Sequence, residues 1–266
     1  MNKQEIESFQ RYITQWYHQY GRRTLPWRLT TDPFKILVSE LMLQQTQVSR
    51  VIPKYEAFLE RFPGLIALKL STLADVLILW QGLGYNRRAK YLWQLAQLVQ
   101  TLPNSQAELE KLPGIGPYTA NAICAFAFNQ PVTMIETNIR SVFLYHFYPN
   151  ETSISDSEIL QLICQTITTN NPRQWYWALM DYGSYLKSAL PNPSRRSKHH
   201  TIQSRFEGSS RQVRGEIIRV LTQQKVIDRI TLFKTLTSNQ VFFESALRQL
   251  IAEEIVIEID KQLSLK

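Results

Sequence analysis

The sequence predicts an all-α protein that ends in a small winged-helix-like module, and three observations support this fold class. Apolar residues recur at helical spacing through most of the chain, starting with Ile6, Phe9 and Ile13. A segment rich in proline, serine and basic residues interrupts this pattern between 191 and 200, as a linker does. The last residues, 255–265, alternate between apolar and polar positions in the manner of a β-hairpin.

The helical part consists of amphipathic segments joined by short connections. Each segment keeps its apolar residues on one face, and Asp32-Pro33 predicts a cap followed by a proline in the first turn of the next helix. The helices predicted before the linker span 5–20, 34–44, 48–61, 72–79, 88–101, 106–111, 117–128, 138–147, 155–168 and 173–190.

Beyond the linker, helices are predicted at 211–223, 232–236 and 242–253, followed by the hairpin. Three helices and a terminal hairpin are the layout of a winged-helix module. We therefore expect a helical domain at 1–190, a basic linker at 191–205 and a winged-helix-like module at 206–266. The module is interpreted either as a surface for DNA or a partner, or as an appendage that only packs.

Charge points to a polyanionic ligand. The net charge is +8, and the stretch from 187 to 225 holds nine basic residues against two acidic ones. A basic stretch of this kind is typical of a nucleic-acid-binding surface, with an ordinary solvated surface as the alternative. No apolar run is long enough for a membrane span, and the chain starts without an apolar signal segment, so we expect a cytoplasmic protein. Cys124 and Cys164 are expected to be buried, reduced thiols.

The strongest local motif is Leu-Pro-Gly-Ile-Gly-Pro-Tyr-Thr-Ala at 112–120. Gly114 and Gly116 allow a tight turn through conformations that other residues avoid, while Ile115 plugs the core. Pro117 suits the first turn of the helix that follows, and backbone N–H groups at a helix start can hold a DNA phosphate. The motif is a helix-hairpin-helix element, which predicts sequence-independent DNA binding.

Further motifs, taken together with the hairpin, indicate a protein family. The chain carries Leu-Pro-Trp-Arg at 25–28, Ser-Glu-Leu-Met-Leu-Gln-Gln-Thr-Gln-Val at 39–48 and Gly-Leu-Gly-Tyr at 82–85, and a carboxylate, Glu136, follows the hairpin. Over 21–186 the sequence resembles the MutY-type adenine glycosylases of the helix-hairpin-helix superfamily, which also contains endonuclease III. The resemblance implies a helix-hairpin-helix DNA glycosylase fold of two helical lobes with a cleft between them, one lobe formed by about 33–133.

The same resemblance implies a function in base-excision repair. The expected reaction is hydrolysis of the N-glycosidic bond of adenine mispaired with 8-oxoguanine or guanine. The expected partner is double-stranded DNA with a mispaired or damaged base, bound at the nucleoid by a monomer that makes no contact with membranes.

The resemblance also implies that two carboxylic acids carry out the reaction. Departing adenine must be protonated, and the deoxyribose that develops positive charge needs a carboxylate nearby. Glu40 stands at the family position of the general acid, and its apolar neighbours predict a raised pKa. The alternative is a solvated glutamate on a helix surface.

Glu136 stands where the family has an aspartate, and Asn138 matches an asparagine that positions this acid. The longer side chain extends the reach of the carboxylate by about 1.5 Å. The structural alternative is a helix start at which Thr137 or Asn138 serves as the cap. Tyr118 replaces the lysine with which lyase-type relatives form a Schiff base, so we expect a monofunctional enzyme.

The remaining family positions concern DNA. The base must be flipped out of the duplex, and Gln44, Gln45 and Thr46 match the loop that enters the stack. Tyr85 matches a tyrosine beside the orphaned base, with a ring buried next to Gly84 as the alternative. The adenine pocket is expected to be walled by Arg23, Leu25, Trp27 and Arg28 and approached by Asp181.

Two familiar features of the family are expected to be missing. Most relatives hold an iron–sulfur cluster with four cysteines, but Lys187 stands at the first of these positions and no cysteine follows Cys164. We therefore expect no cofactor and no metal, with Arg195, Arg196 and Lys198 contacting DNA instead. The second feature is a C-terminal Nudix-like domain, and the segment after the linker is too short to form one. Asn129 replaces a common loop glycine and suits a left-handed turn.

Three other functions stay open at this point. One is a glycosylase for thymine or uracil opposite guanine, against which the Gln-Gln-Thr-Gln run argues. Another is a catalytically impaired protein that binds damaged DNA. The third is a general helix-hairpin-helix binding module, which leaves Glu40, Tyr85 and Glu136 unexplained.

Overall fold

A computed structural model describes residues 1–202 and 204–266, and Gln203, inside the predicted linker, lies outside the described residues. The chain divides into two compact units. Unit 1 comprises Met1–Leu37, Pro103–Lys111 and Ile115–Ile202, and unit 2 comprises Val38–Leu102, Leu112–Gly114 and Gln203–Lys266. The C-terminal residues therefore share a compact unit with residues 38–102.

The predicted helices before the linker are confirmed to within a few residues at their ends. They are α1 (Lys3–Tyr20), α2 (Pro33–Leu43), α3 (Val48–Arg61), α4 (Leu65–Lys69), α5 (Leu73–Trp80), α6 (Arg87–Leu98), α7 (Gln106–Leu109), α8 (Pro117–Phe126), α9 (Thr137–Phe147), α10 (Asp156–Thr166) and α11 (Pro172–Ala189). The short α4 was not predicted, and neither were the 3₁₀ turns Pro26–Arg28 and Pro193–Arg196. One turn of helix is too short to show a periodic pattern.

Unit 1 is built around α1, α9 and α11. Asn2 and Glu5 form a capping box at the start of α1, whose apolar face buries Phe9, Ile13 and Tyr17. The ring of Phe9 meets Phe143 of α9 edge to face at 5.5 Å and Trp175 of α11 at 5.8 Å. The N-terminal helix therefore packs against α9 and α11.

The predicted extent of the second lobe was too large. Helices α7 and α8 belong to unit 1, not to the unit that holds residues 38–102. The reason lies in α8, where Phe126 stacks on Trp177 of α11 with ring centroids 6.2 Å apart. The predicted cap before α2 is confirmed, because Asp32 Oδ1 accepts a hydrogen bond from the Phe34 N–H at 2.8 Å.

The C-terminal module in unit 2 has the elements of a winged helix. It contains α12 (Ser210–Gln224), β1 (Val226–Asp228), α13 (Arg229–Thr235), α14 (Phe243–Ala252), β2 (Val256–Ile259) and β3 (Gln262–Leu265). The predicted hairpin β2–β3 is confirmed, with Glu258 opposite Leu263. The strand β1 was missed because three residues show no alternation, and it pairs antiparallel with β3 to give the order β1-β3-β2.

Two further expectations concern cysteines and membranes. Cys124 is buried as expected, but Cys164 is exposed, because α10 turns Ile159 and Ile163 inward and leaves Cys164 on its outer face. Across 1–202 and 204–266, no helix combines the length and the apolar character that crossing a membrane requires.

Candidate active site

The hairpin adopts the predicted tight turn, but only one of its glycines needs unusual backbone angles. Gly114 has φ +76°, and a Cβ atom there would lie 2.5 Å from Cβ of Tyr91. Ile115 is 5% exposed, as the plugging role predicts. The expectation for Gly116 was wrong: its φ of −93° is open to any residue. As the N-cap of α8, Gly116 brings no side chain of its own to the helix start.

Glu136 is itself the N-cap of α9, so the alternative that placed the cap at Thr137 or Asn138 is wrong. Its Oε1 accepts a hydrogen bond from the Ile139 N–H at 2.8 Å. Its Oε2 accepts one from Asn138 Nδ2 at 3.1 Å, which gives Asn138 the expected contact with this acid. The carboxylate therefore has a fixed orientation.

Glu136 is half-buried, and the loss of water around its carboxyl is the largest influence on its pKa. Burial raises the pKa of Glu136 above that of an ordinary glutamate, although hydrogen bonds from the Asn138 and Ile139 N–H groups and the charges of Lys187 and Arg140 act in the opposite direction. Lys187, at the first position expected for a cluster cysteine, thus contributes a positive charge near the carboxylate.

The first turn of α9 lies directly against α11. A Cβ atom on Gly183 would lie 2.1 Å from the carbonyl oxygen of Asn138 and 2.9 Å from its Cα. Only glycine permits this approach of two helix backbones. Gly183 was not singled out from the sequence, because a lone glycine within a helical pattern has several explanations.

Asp181 of α11 is the centre of a buried charge cluster. It is 3% exposed and accepts hydrogen bonds from the backbone and guanidinium of Arg22 and from Nη1 and Nη2 of Arg28, at 2.6–2.9 Å. Burial alone would raise the pKa of Asp181, but the hydrogen bonds and charge of Arg28 hold it below the usual range. The Asp181 carboxylate is therefore an ionised partner of two arginines. Arg22 was missed from the sequence.

The other residues predicted to wall an adenine pocket lie near this cluster along the chain. Leu25, Trp27 and Arg28 are all below 10% exposed, and Leu25 directly precedes the 3₁₀ turn Pro26–Arg28. Arg23 differs from them, because it is exposed and its guanidinium donates to the carbonyls of Tyr17 and His18 at the end of α1.

Glu40 lies in α2 and is 7% exposed. Its sequence neighbours Leu37, Val38, Leu41 and Met42 are at most 1% exposed. The alternative of a solvated surface glutamate is therefore wrong. Glu40 belongs to unit 2, whereas Glu136 and half-buried Tyr118 belong to unit 1.

The two loops predicted to enter DNA are held by one buried arginine that the sequence analysis missed. Arg88, 7% exposed, donates to the carbonyl of Gln44 at 2.7 Å and to that of Gly84 at 2.9 Å. It also donates to the carbonyls of Leu41, Met42, Leu83 and Tyr85. Burial lowers the pKa of Arg88 to about 10, so it stays protonated at neutral pH. The two loops comprise residues 44–47 and 82–85, and we call them loop 44–47 and loop 82–85.

Each loop carries a residue in a left-handed conformation. Gln45 has φ 56° and Tyr85 has φ 47°, and the Tyr85 hydroxyl donates to Gln45 Oε1 at 2.5 Å. Non-glycine residues rarely adopt such angles, and they concentrate at functional sites. Tyr85 is 39% exposed, so the alternative of a buried ring is wrong. Thr46 connects the loops through a hydrogen bond from Oγ1 to the Leu83 carbonyl at 3.3 Å.

The basic residues of the predicted linker separate into two groups. Arg195 and Lys198 are exposed. The guanidinium of Arg196 instead donates to the carbonyls of Leu144 and Tyr148 at the end of α9, where helix carbonyls lack partners of their own. Asn129, in the loop after α8, has φ 54° as expected.

Comparisons with known proteins identify the family of this chain. Residues 38–167 match the model of the HhH-GPD superfamily base excision DNA repair proteins. An adenine DNA glycosylase of Mycolicibacterium smegmatis is 32% identical over 267 residues, which cover 92% of this chain and 91% of that protein. An adenine DNA glycosylase of Buchnera aphidicola (strain Bp) is 40% identical over 67% of this chain.

The extent of these matches differs. This chain spans about half of the Buchnera relative, 52% of its length. Among solved structures, a thermostable thymine-DNA glycosylase aligns with a TM-score of 0.60 at 24% identity, over 68% of this chain and 87% of that chain, which shows the fold. The chain therefore belongs to the HhH-GPD superfamily of base excision DNA repair proteins, among relatives of the adenine DNA glycosylases.

Proposed function

We propose that this chain is a monofunctional adenine DNA glycosylase, which releases adenine mispaired with 8-oxoguanine or guanine and leaves an abasic site. The observation that carries the proposal is Glu136, whose two carboxylate oxygens are held by the Ile139 N–H and by Asn138 Nδ2. A carboxylate oriented in this way suits the stabilisation of positive charge that develops at C1′ of the deoxyribose.

In the proposed reaction, the bond between C1′ and N9 of adenine breaks and its electron pair leaves with the base. Glu40 protonates a ring nitrogen of adenine, so that the base departs as a neutral molecule. The Glu136 carboxylate stabilises the sugar cation, with Tyr118 beside the hairpin as a further contributor. Water then adds to C1′ and releases a proton to solvent, and Glu40 takes up a proton from solvent, which completes hydrolysis and restores the acid. Glu40 is 7% exposed, which suits an acid that acts on a base enclosed by the protein.

The proposal also includes a pocket for adenine, formed by residues of unit 1. Leu25 and Trp27 offer apolar surface, and the cluster of Asp181 with Arg28 and Arg22 fixes the segment that carries them. Arg23 is exposed and contributes a positive charge at the edge of this pocket.

Duplex binding uses three groups of residues. Gly114 and Gly116 present backbone N–H groups to a phosphate, and the exposed cations Arg195 and Lys198 add sequence-independent attraction. Gln44, Gln45, Thr46 and Tyr85 fill the gap that the flipped base leaves, since aromatic stacking is worth about 1–3 kcal/mol per base.

The enzyme works without an iron–sulfur cluster. A cluster of this type takes four thiolates, whereas the chain has only Cys124, which is buried, and Cys164, which is exposed. Two cysteines cannot supply the four thiolates that such a cluster takes. Iron analysis of the purified protein should give no iron above background, and an iron chelator should leave the rate of base release unchanged.

The test is single-turnover base release from a panel of duplexes, with the freed base identified by mass spectrometry. The panel holds adenine opposite 8-oxoguanine, guanine and cytosine, and thymine and uracil opposite guanine. Adenine should be released from the first two, and Glu40→Gln should slow this by at least about a hundredfold. Glu60→Gln, an exposed carboxyl in α3, is the control and should match wild type. Release of thymine or uracil alone would contradict the proposal.

The proposed absence of lyase activity is tested separately. A lyase forms an imine with the abasic sugar, which borohydride reduces to a stable covalent complex. Tyr118 cannot form that imine. Wild type should therefore give no borohydride-trapped complex with a duplex that contains an abasic site, and trapping would contradict this assignment.

A further inference from the structure

Unit 2 contains a cavity of about 1330 Å³. Its lining includes loop 44–47 and loop 82–85 together with residues of the C-terminal module, among them Arg211, Arg214 and Arg219 of α12. The module therefore contributes side chains to the same cavity as the loops that the proposed function assigns to the opened base pair.

Arg211 contacts those loops directly. Its Nη1 donates to the Tyr85 hydroxyl at 2.8 Å, and its guanidinium lies 5.7 Å from the centre of the Tyr85 ring. The same hydroxyl donates to Gln45 Oε1 at 2.5 Å. A chain of contacts thus runs from α12 through Tyr85 to Gln45, the two strained residues of the loops.

The charge of Arg211 distinguishes it from its neighbours on α12. Arg214 pairs with Glu253 at 2.5 Å, and Arg219 pairs with Glu216 at 3.3 Å. Arg211 hydrogen-bonds only to neutral groups in the described chain, namely the Tyr85 hydroxyl and the Ser204 carbonyl and hydroxyl. Its positive charge is therefore not neutralised within residues 1–202 and 204–266, and its fork of N–H groups can serve a further acceptor.

We infer that Arg211 is a specificity-determining residue that recognises the base left opposite the extruded adenine, by donating to the O6 keto oxygen of guanine or 8-oxoguanine. This inference rests on the proposed function. Arginine is the side chain best suited to the acceptor edge of guanine, whereas cytosine and adenine present an amino donor at the corresponding position. The cation over the Tyr85 ring is also well placed to act beside a ring that stacks on the orphaned base.

The experiment measures binding and not base release, so that its failure is distinguishable from failure of the proposed function. Duplexes carry a tetrahydrofuran abasic-site analogue opposite 8-oxoguanine, guanine, cytosine or adenine, and Kd is measured by fluorescence anisotropy at one salt concentration. Wild type should prefer 8-oxoguanine or guanine over cytosine and adenine. Arg211→Ala should reduce that preference by about tenfold or more, because it removes a hydrogen bond from a charged donor to O6.

Two matched variants separate recognition of the base from attraction to phosphate. Arg211→Lys keeps the charge and a donor for O6 but loses the fork that also holds the Tyr85 hydroxyl, so it should recover overall affinity and only part of the preference. Arg50→Ala removes an exposed cation of the same cavity and should weaken all four duplexes alike.

Two results would overturn the inference: no preference in wild type, or an equal loss on all duplexes in Arg211→Ala. Thermal melting of each variant checks folding. A preserved preference in a protein that releases no adenine would sink the proposed function and leave the role of Arg211 standing.

Discussion

Gly183 of α11 lies against the backbone of Asn138, so closely that a Cβ atom would stand 2.1 Å from the Asn138 carbonyl oxygen. Asn138 in turn donates to Glu136. The position of the proposed catalytic carboxylate therefore depends on a glycine in a different helix, where any side chain would collide with Asn138. Packing of α11 on the first turn of α9 is the physical basis of the site in unit 1.

Gly183→Ala should damage both stability and activity. The added methyl group forces the two helices apart, which should lower the free energy of unfolding by about 1–3 kcal/mol. A displacement of about 1 Å at Glu136 should slow base release by about a hundredfold. The control is Gly215→Ala within α12, where a Cβ atom meets nothing within 4 Å. That variant should gain about 0.5–1 kcal/mol; equal effects of the two substitutions in urea unfolding would refute the packing argument.

The cluster around Asp181 should be essential to folding in a way that surface pairs are not. Asp181→Asn leaves Arg28, whose side chain is 4% exposed, without its counter-charge. Removing one partner of a buried pair costs about 3–5 kcal/mol. Arg205→Ala removes an exposed pair, 82% and 71% exposed, and should cost at most about 1 kcal/mol. Chemical denaturation decides, and a loss below about 1 kcal/mol in Asp181→Asn would be incompatible with this account.

Arg88 should link loop geometry to DNA affinity. Arg88→Lys keeps a cation but loses the planar fork that reaches carbonyls of both loops. We expect a melting temperature lower by several degrees and weaker binding of a mispaired duplex, by about tenfold. Arg87→Lys, one residue earlier and 58% exposed in its side chain, is the control and should change neither quantity appreciably. Unaltered affinity in Arg88→Lys would mean that the loops hold their shape without it.

The raised pKa of Glu136 makes a signed prediction about pH. Because burial favours the protonated form in the folded protein, this group binds more protons when folded than when unfolded, between its two pKa values. Stability from this group is therefore present at low pH and is lost as pH rises through the folded pKa. Glu136→Gln should accordingly raise the melting temperature at pH 7.5 and have little effect at pH 4.

The control for this pH dependence is Glu158→Gln. The pKa of the Glu158 carboxyl, which accepts hydrogen bonds from the Ser155 hydroxyl and N–H, lies below the usual range. Its substitution should therefore have the opposite sign and destabilise at pH 7.5. A melting temperature of Glu136→Gln below that of wild type at pH 7.5 would show that the carboxylate is stabilised, not penalised, by its surroundings.

Local features of this protein were largely predictable from its sequence. Helical periodicity located most helices, and the left-handed turn at Asn129 and the burial of Ile115 followed from residue type. Glu40 was expected to be buried because apolar residues surround it along the helix.

Contacts between distant parts of the chain were not predictable. Arg22 and Arg28 meet Asp181 across more than 150 residues, and nothing in either local pattern specifies that pairing. In the sequence, Arg88 resembles any other basic residue of an amphipathic helix, and only the structure shows its carbonyl partners. The capping role of Glu136 was also missed, because glutamate is not among the preferred N-cap residues and its extra methylene must fold back to reach the Ile139 N–H.

Glu136 is proposed here as the working carboxylate of an adenine glycosylase. This role is tested by single-turnover release of adenine opposite 8-oxoguanine by wild type, Glu136→Gln and Glu136→Asp. We expect release by wild type, a loss of at least about a hundredfold in Glu136→Gln, and an intermediate rate in Glu136→Asp, whose carboxylate is set back by about 1.5 Å. Inert wild type alongside an active Glu136→Asp variant would contradict it, and would identify a protein that binds damaged DNA with a silenced site.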